Sequence, residues 1–591
     1  MLSIEPCDRK SLFFTIRQKR IGVIYLVISW DASFFRLYPT RTKPQKAKIQ
    51  SSFVGVLRRH VLGARIASVL MKSLERVVTF ELVNLDLRGN QLEFTLVAEL
   101  MGKNSNLILL DRALREVIDA GKHVTDTMSR TRPVLPGIEY KAPPASQGQN
   151  PLAATEDDVR LALESLPDIR LDKRILSEFA GISPTIAREI AFRADHQAAG
   201  RNPPEDVARA FASLMHTISE ERFEPCIMTE PAPSSIAEAI PETNSLRLRA
   251  RKSLLCAFPL VEKADWETER FETMAEAAEV FFARAEEGVA FEKMARRLIQ
   301  IVRSKHAKTK RRLANVGRET VDAAEVQRLF ERGELLKMNV HNVKRGMASI
   351  EVEDVFAQGG DAITIKLDTS LSVWANVDAL FKKAKKAKRR LAHSEKLMSS
   401  IREEISYLDG LLLQLEGCEN CQCLRQIAEE LVRRAGMTQR KYEEIVSGIR
   451  SPASMEKEKR FRRFVSSDGL EILVGRSNAE NDQLTLKTAR PYDLFVHAQG
   501  IPGSHVIVWR SQRSSPIPKR TIEEAAIIAA VHSKARNARH VPVDYTPRSQ
   551  VKKPKGAVPG KVIYMSFQTI FVDPDQSLLA RLSSKKGGTT N

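Results

Sequence analysis

Along the chain, short stretches of period-two hydrophobicity give way to long stretches of helical period and then return. Residues 12–40 contain LFFTIR and the β-branched run GVIYLVIS, which predict strands. A helix is expected over 53–64, then strands over 76–82, 92–100 and 106–110, so the opening reads as an α+β unit. Pro and Gly crowd into LPGIEYKAPPASQGQNP, a boundary between 132 and 149. Next, residues 172–180 read as a helix, Gly181 as a tight turn, and Ser183 with Pro184 as the cap and first residue of a second helix. This helix-hairpin-helix pattern serves packing in one reading. In the other, the free amides of its second helix hold a backbone phosphate. Residues 228–250 read as a flexible linker.

From about Phe271 the helical period dominates: Met294, Leu298 and Ile301 step by four and three. Leu397, Ile401, Ile405, Leu408, Leu412 and Leu415 continue the alternation as a heptad seam. Between these arms, ASIEVEDV and DAITIKLD alternate with period two. The reading is two antiparallel coiled-coil arms carrying a small mixed cap, against the plainer reading of a helical bundle. Near the C-terminus, DGLEILVG and LTLKTA predict strands, and DLFVHAQ with SHVIVWR predicts a hairpin turned by Gly500-Ile501-Pro502-Gly503. Thr521 and Glu524 have capping-box spacing, with Ala525, Ala526, Ala529 and Ala530 forming a small packing face behind them. A basic, proline-broken loop, Val551–Gly556, precedes the closing strands VIYMSF and IFV.

At 591 residues the chain is too long for one core, and 43% hydrophobic content argues for folded domains rather than disorder. Charge changes the picture more: 93 Lys and Arg against 73 Asp and Glu leave a net charge of +20. Such an excess favours a polyanion, because each neutralised phosphate releases condensed counterions. An anionic membrane would satisfy the same charge, but no run of about 18 apolar residues is present, and the first residues lack the pattern of a secretion signal. No membrane association is expected. The cation Lys382 opens an acid-free run with Lys383, Lys385, Lys386 and Arg389; at helical spacing Lys382, Lys385, Lys386 and Arg389 share a face. Arg303, Lys305, Lys308, Lys310, Arg311 and Arg312 form a comparable run on the first arm. A charge run is ordinarily a solvated face; two of them on facing arms favour phosphate contact.

Catalytic signatures are absent: no phosphate loop, HExxH, GxSxG or GxGxxG occurs. No catalytic residue, metal or cofactor is assigned. Cys418, Cys421 and Cys423 lack the second pair that a structural zinc needs, and read as reduced surface thiols between helices. His497, His505, His532 and His540 gather in one region without accompanying carboxylate or thiolate spacing, so they read as structural or RNA-contacting.

The C-terminal stretch GLEILVGRSNAENDQLTLKTARPYDLFVHAQGIPGSHVIV resembles the NFACT-R module, and EEAAIIAAVHSKARNARHVPVDYTPRSQVKKPKGAVPGKVIY continues the match. FVGVLRRHVLGARIASVLMKSLERVV and AELMGKNSNLILLD resemble the NFACT-N domain, and IKLDTSLSVWANVDALFKKAKKAK the family's middle region. The resemblance to the NFACT family implies a multidomain α+β chain. Its expected parts are an NFACT-N-like domain over 1–145, a helix-hairpin-helix domain over 150–225 and a linker over 226–265. Coiled-coil arms over 266–445, with a cap at about 335–385, an NFACT-R domain over 458–578 and a disordered tail over 579–591 complete it. The segment SIEPCDRKSLFFTIR aligns well inside the first domain, so the family's opening helix and strand are expected to be missing. The family's Asp-Arg pair for tRNA handling falls on Glu75-Arg76, and its usual Trp on Phe495.

Members bind a large ribosomal subunit that still holds an obstructed peptidyl-tRNA. Bacterial ones recruit alanyl-tRNA, so that stalled chains gain an alanine tail for proteolysis. The resemblance therefore implies a cytoplasmic ribosome quality-control factor, a monomer on the ribosome, that positions while the ribosome catalyses. It assigns tRNA binding to Glu75 and Arg76. Ribosome contact is expected from the Lys382–Arg389 run, from the motif residues Arg476, Asn478, Asn481, Asp482, Asp493, His497 and His505, and from Lys552 and Lys553. Three alternatives stand beside it: a fibronectin-binding surface adhesin, a nucleic-acid enzyme, and an RNA-binding protein without a tailing role.

Overall fold

The computed structural model describes all residues except 48, 50, 87, 145–146, 165–168, 199–203, 232–250, 321, 358–360, 419, 435, 447–460, 511, 514 and 585–591. The chain divides into two compact units, one comprising Met1–Ala232 with Ala250–Glu286 and the other including Glu287–Asn591.

In the first unit, β1 (Ser3–Pro6), β2 (Ser11–Gln18), β3 (Gly22–Ser29) and β4 (Arg36–Thr40) form an antiparallel sheet in chain order. Helix α1 (Ser52–Val61) leads into a second meander: β5 (Arg65–Met71), β6 (Val77–Leu85), β7 (Gln91–Glu99), β8 (Asn106–Asp111) and β9 (Val117–Ala120). Strand alternation decides what is buried where. Leu12 and Phe14 join Leu57, Leu82, Leu96 and Leu107 in the core shared by α1 and both sheets. Phe13, pointing the other way, is covered by Ala278 and Phe282. Both faces of β2 are thus closed, which explains the unbroken Leu-Phe-Phe run.

Helices α2 (Glu156–Glu164), α3 (Leu171–Glu178), α4 (Pro184–Ala198) and α5 (Pro204–Ser219) follow. Ser183 caps α4, its hydroxyl accepting from the amide of Ile186 at 3.3 Å. The expected linker over 226–265 is corrected. Strands β10 (Cys226–Thr229), β11 (Ser253–Cys256) and β12 (Glu267–Arg270) pair in the order β11-β10-β12, and Cys226, Met228, Phe258 and Leu260 bury themselves against α5. The alternation is too short to stand out from a linker by itself; only the packing reveals it. Most of the Pro- and Ser-rich stretch that suggested flexibility lies outside the described residues.

Helix α6 (Met274–Glu319) runs on to α7 (Ala323–Met338), a hairpin of β13 (Ser349–Glu353) and β14 (Ala362–Lys366), and α8 (Val373–Gly417). Ser372 starts α8 by accepting from the amide of Ala375 at 3.2 Å. Leu335, Leu336, Ile350, Val352, Ile365 and Val377 make a small core of α7, the hairpin and the start of α8. In the second unit, Met294, Leu298 and Val302 of α6 meet Leu408, Leu411 and Leu415 of α8. Leu424, Ile427 and Leu431 of α9 (Cys421–Arg434) complete this core, with Ile445 of α10 (Gln439–Val446). The surface-thiol reading is corrected here: Cys418, Cys421 and Cys423 are buried, and Cys418 is disulfide-bonded to Cys423.

The C-terminal domain is a six-stranded sheet in the order β15-β16-β18-β17-β19-β22. Its strands are β15 (Arg462–Val465), β16 (Glu471–Val474), β17 (Leu494–Ala498), β18 (Val506–Val508), β19 (Val541–Pro547) and β22 (Gln568–Val572), with a separate pair of β20 (Val551–Lys552) and β21 (Ile563–Tyr564). One face is covered by α12 (Lys519–Val531), whose Ala525, Ala526, Ala529 and Ala530 are buried as expected, and by α13 (Gln576–Ser584). The expected strand over LTLKTA is instead a π-helical turn, Leu484–Thr488, continuing α11 (Asn478–Gln483). Leu484 reaches the core on the other face of the sheet in that conformation. The capping box is also corrected. Helix α12 begins at Lys519; Thr521 donates to Asp468 at 2.7 Å, and Glu524 accepts from the amide of Ser467 at 2.8 Å. The expected disordered tail over 579–591 is corrected at its start, where α13 continues to Ser584; residues 585–591 lie outside the described residues.

Leu408 is fully buried at the junction of α6, α8 and α9, whereas Leu397 on the same seam is half-buried. Leu408→Ala should cost about 2–5 kcal/mol and Leu397→Ala clearly less, measured by guanidinium unfolding.

Candidate nucleic-acid interface

In the first unit, Glu75 and Arg76 occupy the turn between β5 and β6. Arg76 is exposed, its guanidinium 5.8 Å from the ring centroid of Phe35, while Glu75 is half-buried. The turn is braced by the helical hairpin. Gly181, at φ +77°, lies so close to Leu74 that a side-chain carbon there would fall 2.8 Å from Leu74 Cβ. Ser73 adds a hydrogen bond to Asn150 at 2.8 Å. The helix-hairpin-helix therefore shapes this site from behind.

In the second unit, Lys382, Lys383, Lys385, Lys386 and Arg389 are all exposed on α8, and the alanines between them, Ala384 and Ala387, are buried. The inward stripe is narrow and small, so the cations share a broad solvent face. On α6, Arg303, Lys308, Lys310, Arg311 and Arg312 are likewise exposed, and Lys305 pairs with Glu404 at 3.4 Å.

The C-terminal motif residues have a different fate. Glu480 accepts from the guanidinium of Arg476 at 3.0 and 3.1 Å and from its amide at 3.0 Å, so that charge is internally compensated. Asn478 accepts from Gln414 of α8 and donates to Glu430 of α9 at 3.1 Å, and Tyr407 donates to the same Glu430 oxygen at 2.9 Å. Asn481 accepts from the amide of His505 at 3.1 Å. Asp482 accepts from the amide of Gly560 at 3.1 Å and pairs with Lys553. Asp493, fully buried, accepts from the amides of Arg490 and Arg510 at 2.7 and 3.0 Å.

His505 is enclosed between the Thr485 hydroxyl at 2.8 Å and the Gly560 carbonyl at 3.0 Å. A carbonyl only accepts, so Nε2 carries the proton and Nδ1 accepts from Thr485. Burial pushes its pKa down to about 3, which keeps the ring neutral. His497 is half-buried beside Phe495 and His505, and burial lowers its pKa also.

Three of these residues converge on one loop. Asp482, His505 and Asn478 all meet Gly560, whose φ is +76° and where a side-chain carbon would lie 2.5 Å from Asn478 Oδ1. Protein groups thus hold the side chains of Arg476, Asn478, Asn481, Asp482, Asp493, His505 and Lys553, and Asn478, Asp482 and His505 form a framework for loop 553–561. Lys552 remains exposed. Sequence reasoning missed Gln414, Glu430 and Tyr407. They sit on helices far along the chain from the motif, and no local pattern marks them.

Residues 3–445 match the model of the NFACT N-terminal and middle domains, and residues 460–565 that of the NFACT protein RNA binding domain. A Bacillus subtilis protein named Rqc2 homolog RqcH is 33% identical over 558 residues, 94% of this chain and 91% of that one. A Streptococcus suis protein of the same name is 28% identical over 553 residues, 93% and 90% of the two chains. The human ribosome quality control complex subunit NEMF is 34% identical over 80 residues, 14% of this chain and 7% of that one. Among solved structures, the C-terminal part of the Streptococcus suis fibronectin/fibrinogen-binding protein is 25% identical. It covers 49% of this chain and 98% of its own, with a TM-score of 0.36.

Burial raises the Glu430 pKa above the ordinary glutamate value. A raised carboxyl pKa means that the folded state holds the proton more tightly, so stability falls as pH climbs from that ordinary value to the folded one. Glu430→Gln keeps an acceptor for Tyr407 and should flatten this fall, measured as melting temperature against pH.

Proposed function

The chain belongs to the NFACT family, and on that premise we propose that it acts in ribosome quality control, binding an obstructed large ribosomal subunit together with tRNA. The observation that carries this reading is the match of both family models, in order, over residues 3–445 and 460–565. The names borne by its long bacterial relatives and by the shorter NEMF match support the same process. The chain positions its partners, and peptide-bond chemistry stays with the ribosome. Alanyl-tRNA is the proposed incoming substrate and a C-terminal alanine tail on the stalled nascent chain the product.

Each module has a separate task. Arg76, exposed on a braced turn, contacts tRNA phosphate, and the neighbouring Glu75 supplies an acceptor on a stem one methylene longer than aspartate. The long helices α6 and α8 form a coiled-coil arm along the subunit, and the exposed face of Lys382, Lys383, Lys385, Lys386 and Arg389 contacts ribosomal RNA. In the C-terminal domain, Lys552 makes contact directly, while the Asn478–Asp482–His505 framework holds loop 553–561 in place.

Charge reversal of Lys382, Lys385 and Lys386 together should weaken co-sedimentation with large subunits and reduce the slope of log K against log salt by roughly 2 to 3. An unchanged salt series would remove the arm from the interface. Arg76→Ala should lose bound tRNA while subunit binding persists; equal loss of both would assign Arg76 to folding instead. Sequencing RNA recovered with the native protein tests the whole reading: large-subunit RNA with one tRNA species is expected. Detection on intact cells, with none in ribosomal fractions, would favour the adhesin alternative.

A further inference from the structure

Between the second half of α8 and the C-terminal domain lies a cleft of about 1750 Å³. Three ion pairs cross between the two elements here. Asp409 meets Lys534 at 2.8 Å, Glu416 meets Arg536 at 2.9 Å, and Glu403 meets Lys561 at 3.5 Å. All three cations come from within the part of the chain that matches the RNA binding domain. All three carboxylates come from one helix.

The remaining contacts define what these pairs do. The apolar core of α6, α8, α9 and α10 ends at Val446, and the two cores of the C-terminal domain begin at Phe461 and Phe464, so among the described residues no hydrophobic cluster joins them. The joint is polar. At one end, Asn478, Gln414, Glu430 and Tyr407 are linked by hydrogen bonds largely away from water. Across the cleft, Arg536 and Lys561 are 37% and 48% exposed, so each pair there is weak and exchangeable; Lys534, 57% exposed, makes a similar pair beside it. A buried pivot and an exposed latch are different things energetically. Tyr564 and His497, both half-buried, line the same cleft, and rings of this kind can stack unpaired bases.

We propose that this cleft is a site for unpaired RNA, held shut by Glu403 and Glu416, whose carboxylates occupy the cations Lys561 and Arg536 that RNA phosphates take when a strand enters. The inference rests on the RNA-binding reading above and adds a site and a means of restraint. It reverses the usual expectation for an ion pair at a domain joint, since removing the acidic partner strengthens binding.

The test uses the full chain and a fluorescent oligouridine of about 12 nucleotides. Asp409 is left intact because it also lies 3.1 Å from His306. E403Q with E416Q should bind the oligomer roughly two- to twentyfold more tightly than the unaltered chain, because two weak competitors are gone. R536Q with K561Q should bind it more weakly by a similar factor. E351Q with E353Q, a charge-matched control on the exposed face of the β13–β14 hairpin, should change affinity less than twofold. Unaltered melting temperatures verify folding. Equal or weaker binding by E403Q/E416Q, or an equal gain in the control, overturns the latch. If the R536Q/K561Q chain also binds normally, the cleft is no site while the RNA-binding reading stands. Failure of every chain to bind either the oligomer or ribosomal RNA overturns both.

Discussion

Much of the second unit depends on the side-chain amide of Asn478. It is placed where an arm helix, a following helix and the C-terminal domain meet, and it accepts from Gln414 while donating to Glu430. Its oxygen also sits where any side chain at residue 560 would need to be. Buried polar groups contribute little when paired and cost much when orphaned. Removing this amide would take the acceptor from the Gln414 side-chain nitrogen and leave the Glu430 carboxylate with fewer donors. The geometry of α8, α9, α11 and loop 553–561 is thus tied to a single group.

That dependence reorders the meaning of the charged residues. The net charge of +20 favours a polyanionic partner, and its distribution separates the cations that are matched within the chain from those that are not. Arg476 and Lys553 are held by Glu480 and Asp482. Their charges are already matched, and withdrawing Lys553 would disturb the loop that Asp482 holds. The lysines of the 382–386 run are exposed, and the buried Ala384 and Ala387 face inward between them. Between these extremes stand Lys534, Arg536 and Lys561, paired yet exposed, which suits exchange between a carboxylate and a phosphate.

The same logic separates the two proposed contacts with RNA. Helix α8 offers an exposed charged face, suited to a phosphate backbone read by position alone. The cleft adds ring faces and a closed state, so it discriminates between unpaired and paired strands. In the first unit, the helical hairpin is a brace for the Glu75-Arg76 turn, so its packing role also shapes the turn proposed to contact tRNA.

The sequence by itself determined the family, the order of its modules, most strands and helices, and the exposed basic run. Those features are carried by local period, capping residues and contiguous motifs. LTLKTA shows where this ends: its β-branched, alternating pattern suits a strand, and only the position of α11 and the core that receives Leu484 make it a π-helical turn. Cys226–Thr229 shows the converse, a strand too short to be legible until β11 and β12 pair with it. The motif residues Asn478, Asp482 and His505 were visible as a pattern, but contact with RNA and support of Gly560 demand the same residue types. Tertiary structure alone shows their support of Gly560, because burial and partner identity are set by residues 20 to 80 positions away.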